Sequence, residues 1–177
     1  FYNYFGLVMK KSISIFGVTG SVGNSTIELL RKRKDEFEVI AITCNSDTKN
    51  ISLLANEFSP KIIAVANEKK LKELKENIPS NIKCLAGAEG ICEAASYKSD
   101  IAIASIVGLA GLRPLIESIK SSSVIALANK ECIVSAGSLI KKLSKQNNCN
   151  IIPIDSEHNA IFQILDGKSI NDVSKVF

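Results

Sequence analysis

Short apolar runs rich in β-branched residues alternate along this chain with longer stretches whose apolar positions recur every three or four residues. The short runs lie at residues 12–16, 39–43, 62–66, 83–86, 101–104, 124–127 and 150–154. The longer stretches lie at 25–34, 51–58, 68–77, 88–96, 112–120 and 135–146. Period two marks strands and period 3.6 marks helices, so the alternation predicts βαβ units and a parallel sheet. Ala102-Ile103-Ala104 and Ile125-Ala126-Leu127 are apolar throughout, as strands covered on both faces should be. The predicted pattern stops near Ile154, which sets an expected domain boundary there. Residues 9–154 then form one α/β domain, and 155–177 begin a second. Val173-Ser174-Lys175-Val176-Phe177 reads as the approach to a further strand. The end of the chain is therefore expected to be the edge of a longer protein. Residues 1–8 precede Met9-Lys10-Lys11 and read as an extension foreign to the domain.

Composition changes this picture little. In 177 residues, 46% are hydrophobic and 23% charged, which fits a globular domain with a full core. The net charge of +4 comes from lysines interleaved with acids, as in Lys69, Lys70, Lys72 and Lys75 among Glu68, Glu73 and Glu76. Nucleic-acid binders cluster their basic residues instead, so no nucleic-acid partner is expected. No apolar run reaches the about 18 residues that a membrane span needs. The five cysteines are odd in number and form no CxxC pair, which argues against a disulfide framework or a zinc ribbon. They read as small core residues in a reducing, cytoplasmic compartment. Cys132, beside Lys130 and Glu131, can also be read as lining a site.

The first candidate for chemistry is Gly17-Val18-Thr19-Gly20-Ser21-Val22-Gly23. It follows a predicted strand and opens a predicted helix, the context of a dinucleotide-binding turn. The fold class is therefore expected to be α/β, a Rossmann-like parallel sheet with helices on both faces. Gly17 permits the turn, Gly20 lets phosphate reach the backbone, and Gly23 lets the helix pack closely. The hydroxyls of Thr19 and Ser21 can join the helix-start N–H groups around a pyrophosphate. A glycine turn that merely packs would show the same letters. The second strand ends in Thr43-Cys44-Asn45-Ser46 with no acid at its tip, which favours NADP over NAD. Asp47 would repel a 2′-phosphate if close, and Lys49 could offset it.

The second candidate is Asp155-Ser156-Glu157-His158-Asn159. In extended chain, Asp155 and Glu157 point to the same side, as half of a site for a hard divalent cation. A surface turn is the competing reading. His158, the only histidine, reads as a helix-start residue. A third candidate is Asn129-Lys130-Glu131: Lys130 can hold a phosphate or carboxylate, and Asn129 can serve as a helix cap, a ligand, or both.

Together these pieces resemble the 1-deoxy-D-xylulose 5-phosphate reductoisomerase family. The matching stretches are residues 17–23, Glu57-Phe58-Ser59-Pro60, residues 106–112, Leu127-Ala128-Asn129-Lys130-Glu131, and residues 154–163, in family order. The resemblance implies an NADPH- and metal-dependent conversion of 1-deoxy-D-xylulose 5-phosphate to 2-C-methyl-D-erythritol 4-phosphate for isoprenoid synthesis. It places NADPH on Thr19, Gly20, Ser21, Val22, Asn45, Ser46, Asp47, Asn129 and Glu131. It places the sugar phosphate on Lys130 and Ser156, and Mg²⁺ or Mn²⁺, with Co²⁺ as a further candidate, on Asp155 and Glu157. Lys130 and Glu157 would be the catalytic residues, and the full-length protein a homodimer. Asn45-Ser46-Asp47 departs from the family's Gly-[Lys/Ser]-Asn turn, which bears on the 2′-phosphate contact. Other readings are a generic NADP-dependent dehydrogenase with a nucleophilic Cys, such as a semialdehyde dehydrogenase, or a non-catalytic nucleotide-binding module.

Overall fold

The computed structural model describes residues 9–167 together with 171, 173 and 175. The expected extension at 1–8 lies outside the described residues, as does most of the strand expected at 173–177. Seven strands form one parallel sheet: β1 (Lys11–Phe16), β2 (Phe37–Cys44), β3 (Ile62–Val65), β4 (Lys83–Ala86), β5 (Ser99–Ala104), β6 (Ser122–Leu127) and β7 (Asn150–Pro153). Their order is β4-β3-β2-β1-β5-β6-β7. The chain thus builds outward from β1 on one side, then returns to lay β5 against β1 on the other. Successive parallel strands need crossovers, and the helices supply them.

Those helices are α1 (Ser21–Lys32), α2 (Thr48–Phe58), α3 (Leu71–Glu76), α4 (Gly87–Ala95), α5 (Leu112–Ser121), α6 (Lys130–Gln146) and α7 (Ser156–Leu165). They cover both faces. Ile27 and Leu30 of α1, Leu54 of α2 and Leu74 of α3 pack with Ile15, Ile42 and Ile63. Ile91 of α4, Leu115 and Ile119 of α5 and Ile140 of α6 pack with Phe16, Ala64, Ala102 and Ile125. Alternate residues of one strand feed the two cores, as the pleat requires. Burying one such Leu or Ile contributes about 1.5–3 kcal/mol.

The expected α/β class and parallel sheet are those observed. Three departures affect the site. First, α1 begins at Ser21, inside the glycine loop, rather than at 25. Second, α6 begins at Lys130 rather than 135, with one non-helical residue, Ala136, at φ −142°, ψ 25°. Third, the βα alternation does not stop at Ile154, because α7 follows at once.

Candidate functional site: a nucleotide cleft and a carboxylate edge

The carboxyl ends of β1 and β5 lie side by side, and the chain leaves them in opposite directions. Ligands of open α/β sheets bind at such a switch point. Gly17 leaves β1 with φ +91°, a conformation that glycine adopts without strain. A Cβ there would also meet the Ser105 carbonyl oxygen at 3.0 Å, so the two loops touch across the switch point. Gly17 and Val18 donate their N–H groups to the Thr43 carbonyl at 3.1 and 2.8 Å, which ties the turn to β2.

Gly20 is the N-cap of α1 and offers no side-chain acceptor, and no acid stands in the first turn. The N–H groups at this helix start are thus left for an anion, and the helix dipole favours one. Gly20 has ordinary extended angles, so its value is space: a Cβ would come within 3.3 Å of the Gly17 carbonyl. Gly23 is buried against the turn, where a Cβ would lie 2.4 Å from the Val18 oxygen. Gly17 thus makes the expected turn and Gly23 the expected close packing, while Gly20 leaves open space beside the helix start.

Beside this loop lies a cleft of about 630 Å³. Gly17, Thr19 and Gly20 form one wall, and Asn45 at the tip of β2 and Ala66 beyond β3 form the next. Ser105, Ile106 and Val107 from the β5 loop face them. Ser21 and Val22 are the first residues of α1; neither lines the cleft, and Val22 packs against the core. The volume and the apolar lining with a few polar groups suit a dinucleotide.

Asp47 has a local task. Its carboxylate caps α2 by accepting from the Asn50 N–H at 3.1 Å and from Asn50 Nδ2 at 2.6 Å. Ser46 immediately precedes it in the turn between β2 and α2.

Asn129 is 4% exposed and engaged at both ends of its amide. Oδ1 accepts from the Cys132 N–H at 3.0 Å, capping α6. Nδ2 donates to the carbonyls of Ile106 and Gly108, the latter at 2.8 Å. Asn129 thus fixes the β5 loop that forms one side of the cleft. Lys130 and Glu131 follow as the first, exposed residues of α6.

A second cavity, about 210 Å³, lies between the starts of α6 and α7. It brings Asn129 and Lys130 together with Asp155 and His158. Asp155 and Glu157 do not share one side of an extended strand. The ladder ends at Pro153, Asp155 is the N-cap of α7, and Ser156 and Glu157 are its first helical residues. Asp155 accepts from the His158 N–H at 3.4 Å and pairs with His158 Nδ1 at 2.5 Å. Burial pushes the Asp155 carboxyl up, but hydrogen bonds from the His158 ring and backbone outweigh it and hold the acid below its ordinary value. Asn159 ties the helix back through Nδ2 to the Pro153 carbonyl at 2.8 Å. Oxygen donors of this kind suit a hard cation. Among the described residues, however, no group of three or more His, Cys, Asp or Glu is placed to hold a metal. The carboxylates here fit such an ion as partial ligands only.

The same geometry matches known proteins. The family model for 1-deoxy-D-xylulose 5-phosphate reductoisomerase matches residues 13–137. This chain belongs to the 1-deoxy-D-xylulose 5-phosphate reductoisomerase family. It is 41% identical over 168 residues to the reductoisomerase of Caldanaerobacter subterraneus subsp. tengcongensis, covering 95% of this chain and 44% of that protein. It is 45% identical over 167 residues to that of Wolbachia pipientis subsp. Culex pipiens, covering 92% and 43%. Among solved structures, the Zymomonas mobilis reductoisomerase in complex with NADPH superposes with a TM-score of 0.84 at 36% identity, covering 88% of this chain and 41% of that one. A family structure with NADPH, fosmidomycin and magnesium gives 0.81 at 37% identity, covering 86% and 38%. The chain thus spans less than half the length of these reductoisomerases.

Sequence reasoning missed the far wall of the cleft. Ala88, Ile91, Cys92 and Arg113 line it from α4 and α5. The one usable signal was Arg113, a lone cation just past the glycine of the β5 loop.

Proposed function

We propose that this chain is the NADPH-binding part of a 1-deoxy-D-xylulose 5-phosphate reductoisomerase. The observation that carries the reading is the glycine turn at the switch point, opening into a cleft of dinucleotide size. NADPH would supply a hydride and the divalent metal would supply Lewis acidity toward the sugar's oxygens. The chain's own residues bind and orient. Thr19, Gly20, Ser21 and Val22 hold the pyrophosphate at the start of α1, while Asn45, Ser46 and Asp47 edge the adenosine ribose. Asn129 keeps the β5 loop in place, and Glu131 approaches the cofactor from α6. Lys130 holds the sugar phosphate as a point charge, and Ser156 donates to it from α7. Asp155 and Glu157 are the metal's carboxylates in this part of the protein. Residues 9–154 are the cofactor domain and 155–177 the first edge of a catalytic one. The reading also includes a homodimer at full length and a cytoplasmic setting, which suits five free thiols.

A dehydrogenase with a cysteine nucleophile is disfavoured by burial. It pushes all five thiols up, Cys44 to about 12. A nucleophilic cysteine needs the opposite shift.

Titrating NADPH and NADH against the chain by cofactor fluorescence tests the reading. Saturable binding with NADPH the tighter is expected. No saturation with either would remove the nucleotide site.

A further inference from the structure

The cleft carries one cation that the preceding reading leaves without a task. Arg113 is the second residue of α5 and the only charged side chain among the described residues that line the cleft. Its guanidinium is not a loose charge. Nη1 and Nη2 donate to Glu89 Oε1 and Oε2 at 2.7 and 3.1 Å, a two-pronged pair that fixes the plane of the group. Glu89 stands in the first turn of α4, the helix whose Ala88, Ile91 and Cys92 line the same wall.

The adenosine half of a dinucleotide lies on the β2 side of the glycine loop, because its ribose meets the tip of that strand. Past Asn45 at that tip, the cleft continues to Ala66, Ala88 and Ile91. Those surfaces are apolar and suit a purine ring rather than a phosphate.

We propose that Arg113 stacks the face of its guanidinium on the adenine ring of the bound dinucleotide, with Glu89 holding the plane in position. The inference rests on the nucleotide reading and adds a binding residue to it. Two features select the base over the 2′-phosphate. Two of the five N–H donors, one on Nη1 and one on Nη2, are turned to Glu89, which sets the plane of the group and leaves its face for contact. The Glu89 carboxylate also offsets the charge and would repel a phosphate brought to that edge. A planar, weakly hydrated guanidinium stacks well on aromatic faces, and a lysine does not. The pair is largely exposed, at 62% and 80% of the two side chains, so its loss should leave the fold intact.

The test is calorimetric titration with three probes: NADPH, NADH and ADP. ADP carries the adenine without the 2′-phosphate or the nicotinamide. Arg113→Ala should weaken all three by one common factor of about three- to tenfold, the range of a partly exposed stack. Arg113→Lys should recover less than half of that loss, and Glu89→Gln should weaken all three about twofold. Loss confined to NADPH would assign Arg113 to the 2′-phosphate and overturn stacking. Unchanged affinities in Arg113→Ala, or full recovery with Lys, would overturn it as well. If Arg113→Ala fails to fold by circular dichroism, Glu89→Gln decides: a gain for NADPH alone, or no change, rejects the stack. Failure of the unsubstituted chain to bind any probe sinks the nucleotide reading itself, and this assignment with it.

Discussion

Gly20 and Gly23 stand three residues apart in one loop, yet a side chain would do different damage at each. Gly20 has angles open to any residue and only a 3.3 Å approach to the Gly17 oxygen. Gly20→Val should fold and lose NADPH, since the branched side chain takes the space of the pyrophosphate. Gly23→Ala drives a Cβ to 2.4 Å from the Val18 oxygen, where only backbone could yield. It should lower stability by about 2–4 kcal/mol, on the scale of overpacking in a tight site. Denaturant melts with cofactor titrations separate the two effects. A Gly20→Val chain that still binds NADPH would make the loop a packing turn. Asp47 permits a similar dissection. Its carboxylate caps α2, and Asn caps a helix about as well. Asp47→Asn should therefore keep the melt and tighten NADPH, with NADH unchanged. Asp47→Ala should cost about 1 kcal/mol of stability through the lost cap. Equal gains for both cofactors in Asp47→Asn would show that charge near the 2′-position is not what matters. The sequence let Asp47 be read as a charge near the ribose, but not as a cap. The capping bond depends on where α2 begins, and apolar spacing placed that start three residues late, at 51 instead of Thr48.

At the scale of elements, the start of the sheet is tied by one exposed cluster. Asp100 at the foot of β5 accepts from the Ser12 N–H and hydroxyl, both at 2.7 Å, and its own N–H donates to Ser12 Oγ at 2.8 Å. The Ser12 hydroxyl and N–H hold the Asp100 carboxyl below its ordinary value, against the opposing effect of burial. A carboxyl lowered in the fold stabilises it above the unfolded value, and that contribution fades as pH falls through the folded value. Melts between neutral pH and about pH 3 should show a steeper acid loss for the unsubstituted chain than for Asp100→Asn. The difference should stay under about 1 kcal/mol, because the group is exposed and screened. An identical acid limb in both would mean the cluster contributes nothing. Most strands and helices were legible from apolar periodicity, because each is buried on a regular face. Helix starts are less legible, those of α6 and α7 most of all. For α6, apolar periodicity starts only at 135 because it is interrupted around Ala136, while the reading of Asn129 as a helix cap gives the start that the structure has. For α7, reading His158 as a helix-start residue finds the helix, but the extended reading of Asp155 and Glu157 hides that Asp155 caps it and that Ser156 begins it.

At the scale of the molecule, the proposed nucleotide and metal sites lie at different parts of the sheet's carboxyl edge. The cleft is built around β1, β2 and β5, and none of Lys130, Asp155 or Glu157 lines it. The second cavity is built from the starts of α6 and α7. Neither cavity can be read as a volume from the chain, because each joins elements many residues apart. Asn129 couples them: it lines the second cavity while its amide holds the β5 loop of the first. This division sets the last prediction. The 177-residue chain should bind NADPH but show no reductoisomerase turnover with NADPH, Mn²⁺ and the sugar phosphate. It spans 44% of a full-length relative, and its described residues bring no third metal ligand to Asp155 and Glu157. Two carboxylates without a substrate clamp hold and orient such an ion poorly. Asp155→Asn and Glu157→Gln should accordingly leave NADPH affinity of the chain within about twofold, since a dinucleotide in the cleft does not meet them. Both should weaken Mn²⁺ binding, read by paramagnetic relaxation of water protons. Turnover by the chain alone would show that it contains a complete site. A large loss of NADPH affinity in Glu157→Gln would show instead that the two cavities act as one.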